Sequence, residues 1–381
     1  MVNYKFKKNV LLILPTPLDK SIVNITELIE KIKPDDHVMI WQPFEETDHR
    51  FLEYLEHDYD ENPNHHENIQ KFEDVLTKNN IRCFLLVGCD RNVAYKNLDI
   101  KPIKNFDVLF WPTALLHYTY YGIVGAYGDT PKNLFNPNRD FKQLYMNLNN
   151  KDRNHRCMFM DYLCKFDLFE KGVNTWRFEN STWDFKYFKP RNLRIDDYSD
   201  KEYIHEVYSK NLLRIDSVID TVTETFPYNR KGVEYIFHTE KTYRTILLGK
   251  PFIILGAKNQ HRSLFKIGFQ KFDYILNYDF DEYENIQTRC LGIIDNLYGL
   301  KDRNYNEMFE SVRSSVESNI DIATNIVYND DYIPDMLKTL IKENMYEYHH
   351  NLRDFNSVMS GTLNQDEKWY LTHNIFKEIY L

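Results

Sequence analysis

The chain has 381 residues, a net charge of −9, 43% hydrophobic and 15% aromatic side chains, more than one core usually organises, so two domains with an interior each are expected. Its 12 glycines and 13 prolines exclude collagen-like and low-complexity sequence, and no run reaches the roughly 18 apolar residues of a membrane span. Met1 to Lys8 is basic and polar rather than a signal-peptide start, and Cys83, Cys89, Cys157, Cys164 and Cys290 form no CxxC pair, so buried thiols and a cytoplasmic location are expected (the host cytoplasm if the chain is viral).

In chain order, Val10 to Leu14 is a short apolar run closed by Pro15 and Pro17, and an amphipathic stretch runs from Ile22 to Ile32. His37 to Trp41, Ile81 to Val87 and Asp107 to Trp111 predict further strands, with a helical pattern over Asn68 to Leu76. Apolar strands alternating with helices imply a parallel sheet covered on both faces. Phe135 to Asp140 is polar and turn-rich and reads as the linker between two domains. Beyond it the pattern predicts a strand at Gln143 to Leu148, a helix from His155 to Phe169, an irregular stretch around Trp176 and Trp183, and a helix around Lys201 to Leu213. A strand at Ser217 to Val222, a helix at Glu240 to Leu248, a strand at Pro251 to Leu255 and a helix at Gln260 to Ile267 complete a second alternating unit. From Tyr283 onward the pattern is helical and acidic. Charge is uneven: residues 142–271 hold 23 Lys and Arg against 16 Asp and Glu, whereas both flanks are acidic. Such a basic middle suits a polyanionic small ligand, and it also falls within the ordinary variation of charge along a surface.

One passage concentrates the chemistry: Thr221-Val-Thr-Glu-Thr225, then His238-Thr-Glu-Lys-Thr-Tyr-Arg244, then Leu248-Gly-Lys-Pro-Phe-Ile-Ile-Leu-Gly256. Ligands of open α/β sheets bind beyond the carboxyl ends of the strands, and Glu224 falls just past one such end. Thr239 is the expected N-cap of the next helix, with Thr242 in its first turn, which aims the amides of Glu240 to Thr242 at any bound phosphate. Lys241 adds a full positive charge, and Glu240, an acceptor-only side chain, suits the hydroxyls of a ribose. Taken alone, these residues also fit an ordinary helix start with a solvated Glu and Lys.

The passage resembles the donor-site signature of the fucosyltransferase family, in which a Tyr-Val-Thr-Glu-Lys run opens a helix and precedes a Val-Pro-Val-Val strand. That family has a Phe-Glu-Asn-Ser element upstream, where Val222-Thr-Glu-Thr225 stands here, and before it an arginine opening a helix, matched by Arg156 in Leu148-Asn-Asn-Lys-Asp-Arg-Asn-His-Arg156. The order of the Arg-x-His-Arg, Val-Thr-Glu-Thr and Thr-Glu-Lys-Thr runs also resembles uncharacterised glycosyltransferase-like proteins of phages and large viruses. The likeness covers roughly Phe141 to Tyr278 and departs from the fucosyltransferases at Thr225, where they have Asn, and at Lys250 to Ile253. It implies an α/β fold of the GT-B type, two doubly wound Rossmann-like domains facing across a cleft with a helical C-terminal tail: an acceptor domain at 1–138, a nucleotide-sugar donor domain at 139–350 and a tail at 351–381. It further implies a donor site of Arg153, His155, Arg156, Glu224, Thr239, Glu240, Lys241 and Thr242. Arg156 and Lys241 would neutralise the diphosphate, Glu240 would hold the ribose, and Glu224 would meet the sugar or the ribose side. The implied partners are a nucleotide-diphosphate sugar and a hydroxyl acceptor, with no metal and no cofactor beyond the donor, in an inverting transfer.

Inversion needs a base near the acceptor hydroxyl, and the ends of first-domain strands offer Glu45, Asp90 and His117. Two Asp-x-Asp strings, Asp58-Tyr-Asp60 and Asp279-Phe-Asp281, are the pattern of a metal-dependent transferase but lie in acidic runs and are expected to be solvated surface. The pairs His65-His66 and His349-His350 are likewise expected in solvent. Three readings stay open: transfer to a glycan or small molecule, transfer to a hydroxymethylated base in DNA, and a non-catalytic nucleotide-binding protein. The acidic first segment speaks against duplex binding, which draws on clustered Lys and Arg.

Overall fold

The computed structural model describes residues 2–6, 10–14, 38–41, 73–87, 105–110, 115, 131–149, 152–176, 183–193, 216–224, 236 and 238–328. The expected helices at Ile22 to Ile32 and Lys201 to Leu213, the tail at 351–381, the histidine pairs, Cys89, and Asp58 and Asp60 lie outside these residues. Two compact units are formed, one by Met1–Thr113 with Tyr328–Leu381 and the other by Ala114–Val327.

The first unit contains a five-stranded sheet of β1 (Val2–Phe6), β2 (Val10–Leu14), β3 (Val38–Trp41), β4 (Arg82–Val87) and β5 (Phe106–Phe110). β2 to β5 run parallel, as the apolar runs lead one to expect, but β1 pairs antiparallel with β2, from Val2 opposite Leu14 to Phe6 opposite Val10. The Val-Asn-Tyr-Lys-Phe alternation of β1 is a period-two signal hidden by its basic composition. Among the described strands spatial order follows chain order.

The second unit is an α/β layer structure on a four-stranded, fully parallel sheet flanked by helices. Its strands are β6 (Gln143–Asn149), β7 (Gly172–Trp176), β8 (Ser217–Thr223) and β9 (Phe252–Leu255), in the order β7-β6-β8-β9. Every residue of β8 and β9 is buried, as strands covered on both faces must be. Besides the single turn Pro131–Leu134, the helices are α1 (Asn154–Lys165), α2 (Glu240–Leu247), α3 (Gln260–Ile267), α4 (Ile286–Leu300) and α5 (Tyr305–Tyr328). α4 packs on α1 and β9, and α2 on β8 and β9. The chain leaves β6 through α1 to reach β7 on one side, then starts β8 on the other side and leaves it toward α2 and β9. Winding therefore reverses between β6 and β8, where their carboxyl ends bound the crevice in which ligands of such sheets bind. None of the described helices is long and apolar enough to cross a membrane.

Sequence pattern missed β7, because Gly172-Val-Asn-Thr-Trp176 carries no apolar run. It pairs parallel with β6, Gly172 opposite Tyr145, and the Tyr145 ring takes the space a Cβ at Gly172 would fill. The segment expected as a linker is fastened to the second unit instead. Phe135 and Phe141 pack on Phe309 of α5, the latter with ring centroids 4.6 Å apart, and the Phe141 amide and the Pro137 carbonyl bond Asn306 and Arg313. Phe135 at the start of this polar, turn-rich stretch and Phe141 just after it anchor it to α5.

Gly249 closes α2 in the left-handed region at φ +66°, and a Cβ there would fall on the Phe135 ring; Gly268 closes α3 at φ +118° with open space around it. Gly249→Ala should therefore cost about 2–4 kcal/mol through backbone strain and overpacking together, and Gly268→Ala about 1 kcal/mol through strain alone. Urea unfolding of the two variants checks the difference, and equal losses would contradict the close approach of Phe135.

Candidate functional site

The crevice at the ends of β6 and β8 brings together two helix starts. α1 opens five residues after β6 ends, with Arg153 at its N-cap giving no side-chain bond to the first turn. α2 opens at Glu240 with Thr239 as N-cap, its Oγ1 accepting from the Lys241 amide at 3.2 Å, as the sequence leads one to expect.

The first turn of α1 reaches across to β8. His155 donates through Nε2 to the Glu224 carbonyl at 2.9 Å, and Arg156 donates through Nη2 to the Thr223 carbonyl at 3.1 Å. Both side chains are buried. The Glu224 carboxylate, 1% exposed, turns the other way and receives the start of α2: Oε1 accepts from the Thr239 amide at 3.1 Å and the Thr242 hydroxyl at 2.6 Å, and Oε2 from the Thr239 hydroxyl at 2.7 Å. Lys241 and Glu240 pair at 2.8 Å with their side chains 19% and 17% exposed, and Lys241 Nζ also lies 3.3 Å from Thr239 Oγ1.

All eight residues assigned to a donor site by resemblance thus stand at these two helix starts and the end of β8, in two tiers. Arg153, Glu240 and Lys241 are partly open, while His155, Arg156, Glu224, Thr239 and Thr242 are buried and bonded to one another or to backbone. Glu45, Asp90 and His117 lie outside the described residues.

The charges act on one another. Burial, then the neighbouring Arg153, push the Arg156 guanidinium down to about 10, against Glu224 and Glu240. Burial, then Arg156, with Arg153 and Lys241 adding less, push His155 down to about 3, against the Glu224 carbonyl. His155 is therefore a neutral ring bearing its proton on Nε2.

Beneath the crevice lies a polar ladder that sequence reasoning passed over. Thr223 donates to Asn149 Oδ1 at 2.5 Å, Asn149 donates to Asn147 Oδ1 at 3.1 Å, and Asn147 donates to Asn174 Oδ1 at 3.3 Å, linking β8, β6 and β7. The available signal was two asparagines spaced by two in an otherwise apolar strand, which places both on one face. A second network anchors the residue before Thr239: His238 donates through Nε2 to Ser263 Oγ at 2.5 Å, Gln260 donates to its Nδ1 at 3.0 Å, and Ser263 donates to the Gln260 carbonyl.

Asp281 of the second Asp-x-Asp string is not solvated surface. It is buried and accepts from the amides of His261 and Arg262 and from His261 Nδ1 at 2.9 Å, satisfying the start of α3, while Asp279 is exposed. Helix-start donors pull this carboxylate inward, which an acidic composition cannot foretell. Among the described residues no group of three or more His, Cys, Asp and Glu is arranged to hold a metal ion. Lys250, in the Leu-Gly-Lys-Pro run, is buried at the start of β9 and donates to Ser217 Oγ at 2.9 Å, at the far end of β8 from the crevice.

No protein-family model matches the chain, and no curated protein or solved structure shows a significant similarity to it.

His238 is also pushed down to about 3, by burial and then by His261, against Asp281. Below pH 6.5 an unfolded chain protonates both His155 and His238, whereas the folded chain resists until about pH 3, so stability falls as pH drops through this window. Urea unfolding at pH 7 and pH 4.5 should show a loss from each ring on the order of 2 kcal/mol, at ~1.4 kcal/mol per pH unit. The loss should shrink in His155→Gln; an undiminished loss would mean that His155 titrates normally.

Proposed function

We propose that the chain is a nucleotide-sugar-dependent glycosyltransferase of the GT-B type, with the unit Ala114–Val327 holding the donor and the unit built on β1 to β5 serving the acceptor. One observation carries this reading: Arg153, Arg156, Glu240 and Lys241, at two helix starts, converge where the winding of a parallel sheet reverses. Two helix starts and three cations in one crevice suit the two negative centres of a diphosphate better than a single phosphate or a neutral ligand. The order of the three motifs, resembling the fucosyltransferase donor site, adds the sugar to the diphosphate.

In such a transfer the acceptor oxygen attacks the anomeric carbon and the bond from that carbon to the diphosphate oxygen breaks. The acceptor proton passes to a base, for which the candidates are Glu45 and Asp90 in the first unit and His117 in the second, and the departing diphosphate gains negative charge. Cations and helix amides already in position stabilise that charge with little reorganisation. Glu240 takes the ribose hydroxyls, Lys241 and Arg153 meet the phosphates, and Arg156 contributes its field from below. The acceptor is a hydroxyl of a glycan, a small molecule or a modified DNA base.

A thermal-shift panel of nucleoside diphosphates and their sugars should raise the melting temperature for at least one nucleotide, because a ligand bound only by the folded state stabilises it. Lys241→Ala and Arg153→Ala should each weaken that binding about tenfold or more, the loss of a charge-assisted contact of about 1.5–3 kcal/mol. Unchanged affinity in both variants would refute the donor assignment.

Transfer should also persist in excess chelator, since Arg, Lys and helix amides supply the positive charge at the crevice. Loss of activity on chelation with recovery on adding manganese would contradict this.

A further inference from the structure

We propose that Glu224 is a positioning residue that locks the starts of α1 and α2 into one preorganised anion site, with His155 and Thr242 acting through it. Glu224 is the residue at which the two helix starts meet. Its carbonyl is held from α1 by His155 at 2.9 Å, and its carboxylate holds α2 through the Thr239 amide, the Thr239 hydroxyl and the Thr242 hydroxyl at 3.1, 2.7 and 2.6 Å. Thr239 Oγ1, so oriented, accepts from the Lys241 amide and lies 3.3 Å from the Lys241 ammonium. A bonded path thus runs from the first turn of α1 to the partly open cation of α2.

Burial separates this role from ligand contact. His155, Glu224, Thr239 and Thr242 are at most 2% exposed, so a molecule in the crevice meets Glu240 and Lys241 first. A carboxylate with three donors around it fixes direction as well as distance, which a water or a neutral acceptor in its place would not. Glu224 therefore sets where Lys241 sits relative to Arg153 and Arg156, and a change at His155 is felt at residues far along the chain. That the anion is a diphosphate rests on the function proposed above; the coupling itself does not.

Two readouts separate the claims. Amide exchange in the ligand-free protein follows the Thr239 and Lys241 amides against the Asp220 amide, which bonds the Pro251 carbonyl at 2.8 Å in the sheet core. His155→Leu and Thr242→Val should each speed exchange at Thr239 and Lys241 roughly tenfold relative to Asp220, as local opening of the α2 start predicts. His155→Gln, whose side-chain amide can donate where Nε2 does, should restore it. Calorimetry with inorganic pyrophosphate, at a temperature where every variant is folded, should show affinity lowered several-fold in His155→Leu and Thr242→Val and recovered in His155→Gln. Equal acceleration at all three amides, unchanged exchange at Thr239 and Lys241, or a Gln variant no better than Leu would overturn the coupling. Should His155→Leu fail to fold, Thr242→Val decides alone by the same two criteria. Failure of the wild type to bind either pyrophosphate or any nucleoside diphosphate would defeat the donor reading, with the exchange result still deciding the coupling.

Discussion

A carboxylate withdrawn from water must be given donors, and the second unit is organised around side chains that meet this demand with backbone amides. Glu224 gathers the start of α2, Asp281 the start of α3, and Asp161 the amides of Lys186, Tyr187 and Phe188. In each case one acid from one element ends the search of another element for its orphan donors. Asp220, in the middle of β8, applies the same rule with side chains, accepting from Arg244 at 2.9 Å and Thr245 at 2.5 Å of α2. α2 is thus fastened to β8 twice, at its first turn by Glu224 and further along by Asp220. Breaking a buried pair of this kind leaves an uncompensated charge, so the attachment resists local change.

That rigidity bears on function. An anion site made of helix starts gains strength when its donors are in place before the ligand arrives, because no reorganisation is then subtracted from binding. Here α1 and α2 leave adjacent parallel strands in a sheet whose winding reverses between them, and the polar ladder from Thr223 through Asn149 and Asn147 to Asn174 ties those strand ends together. The partly open residues Arg153, Glu240 and Lys241 stand on this fixed base. A buried tier thus holds a partly open tier in place.

Much of this was legible in the residue order. Period-two and continuous apolar runs located β2 to β6, β8 and β9 within a residue or two, and α3 at its observed ends, because the patterns of those segments are strong. Thr239 as a cap was legible because N-capping is local: a hydroxyl two residues before an amide needs no distant partner. β1 and β7 were hidden, the first by charged alternation at an edge and the second by having no apolar run at all. The packing of Phe135 and Phe141 on Phe309 was likewise out of reach, since turn-rich composition says nothing about where two phenylalanines will pack.

The sequence by itself determined the α/β alternation and the start of α2, since periodicity and capping are properties of neighbours in the chain; the eight residues were grouped by resemblance alone. Only the tertiary structure decided which of the eight are buried and which are open. Glu224 and Lys241 carry full charges a few residues on either side of the same loop, yet one lies 1% exposed against Thr239 and Thr242 and the other reaches the crevice. The same holds for Asp279 and Asp281, separated by one residue, where the first is exposed and the second caps α3. Burial depends on what packs above a side chain, and that partner is set by strand order, a long-range property that no local pattern encodes.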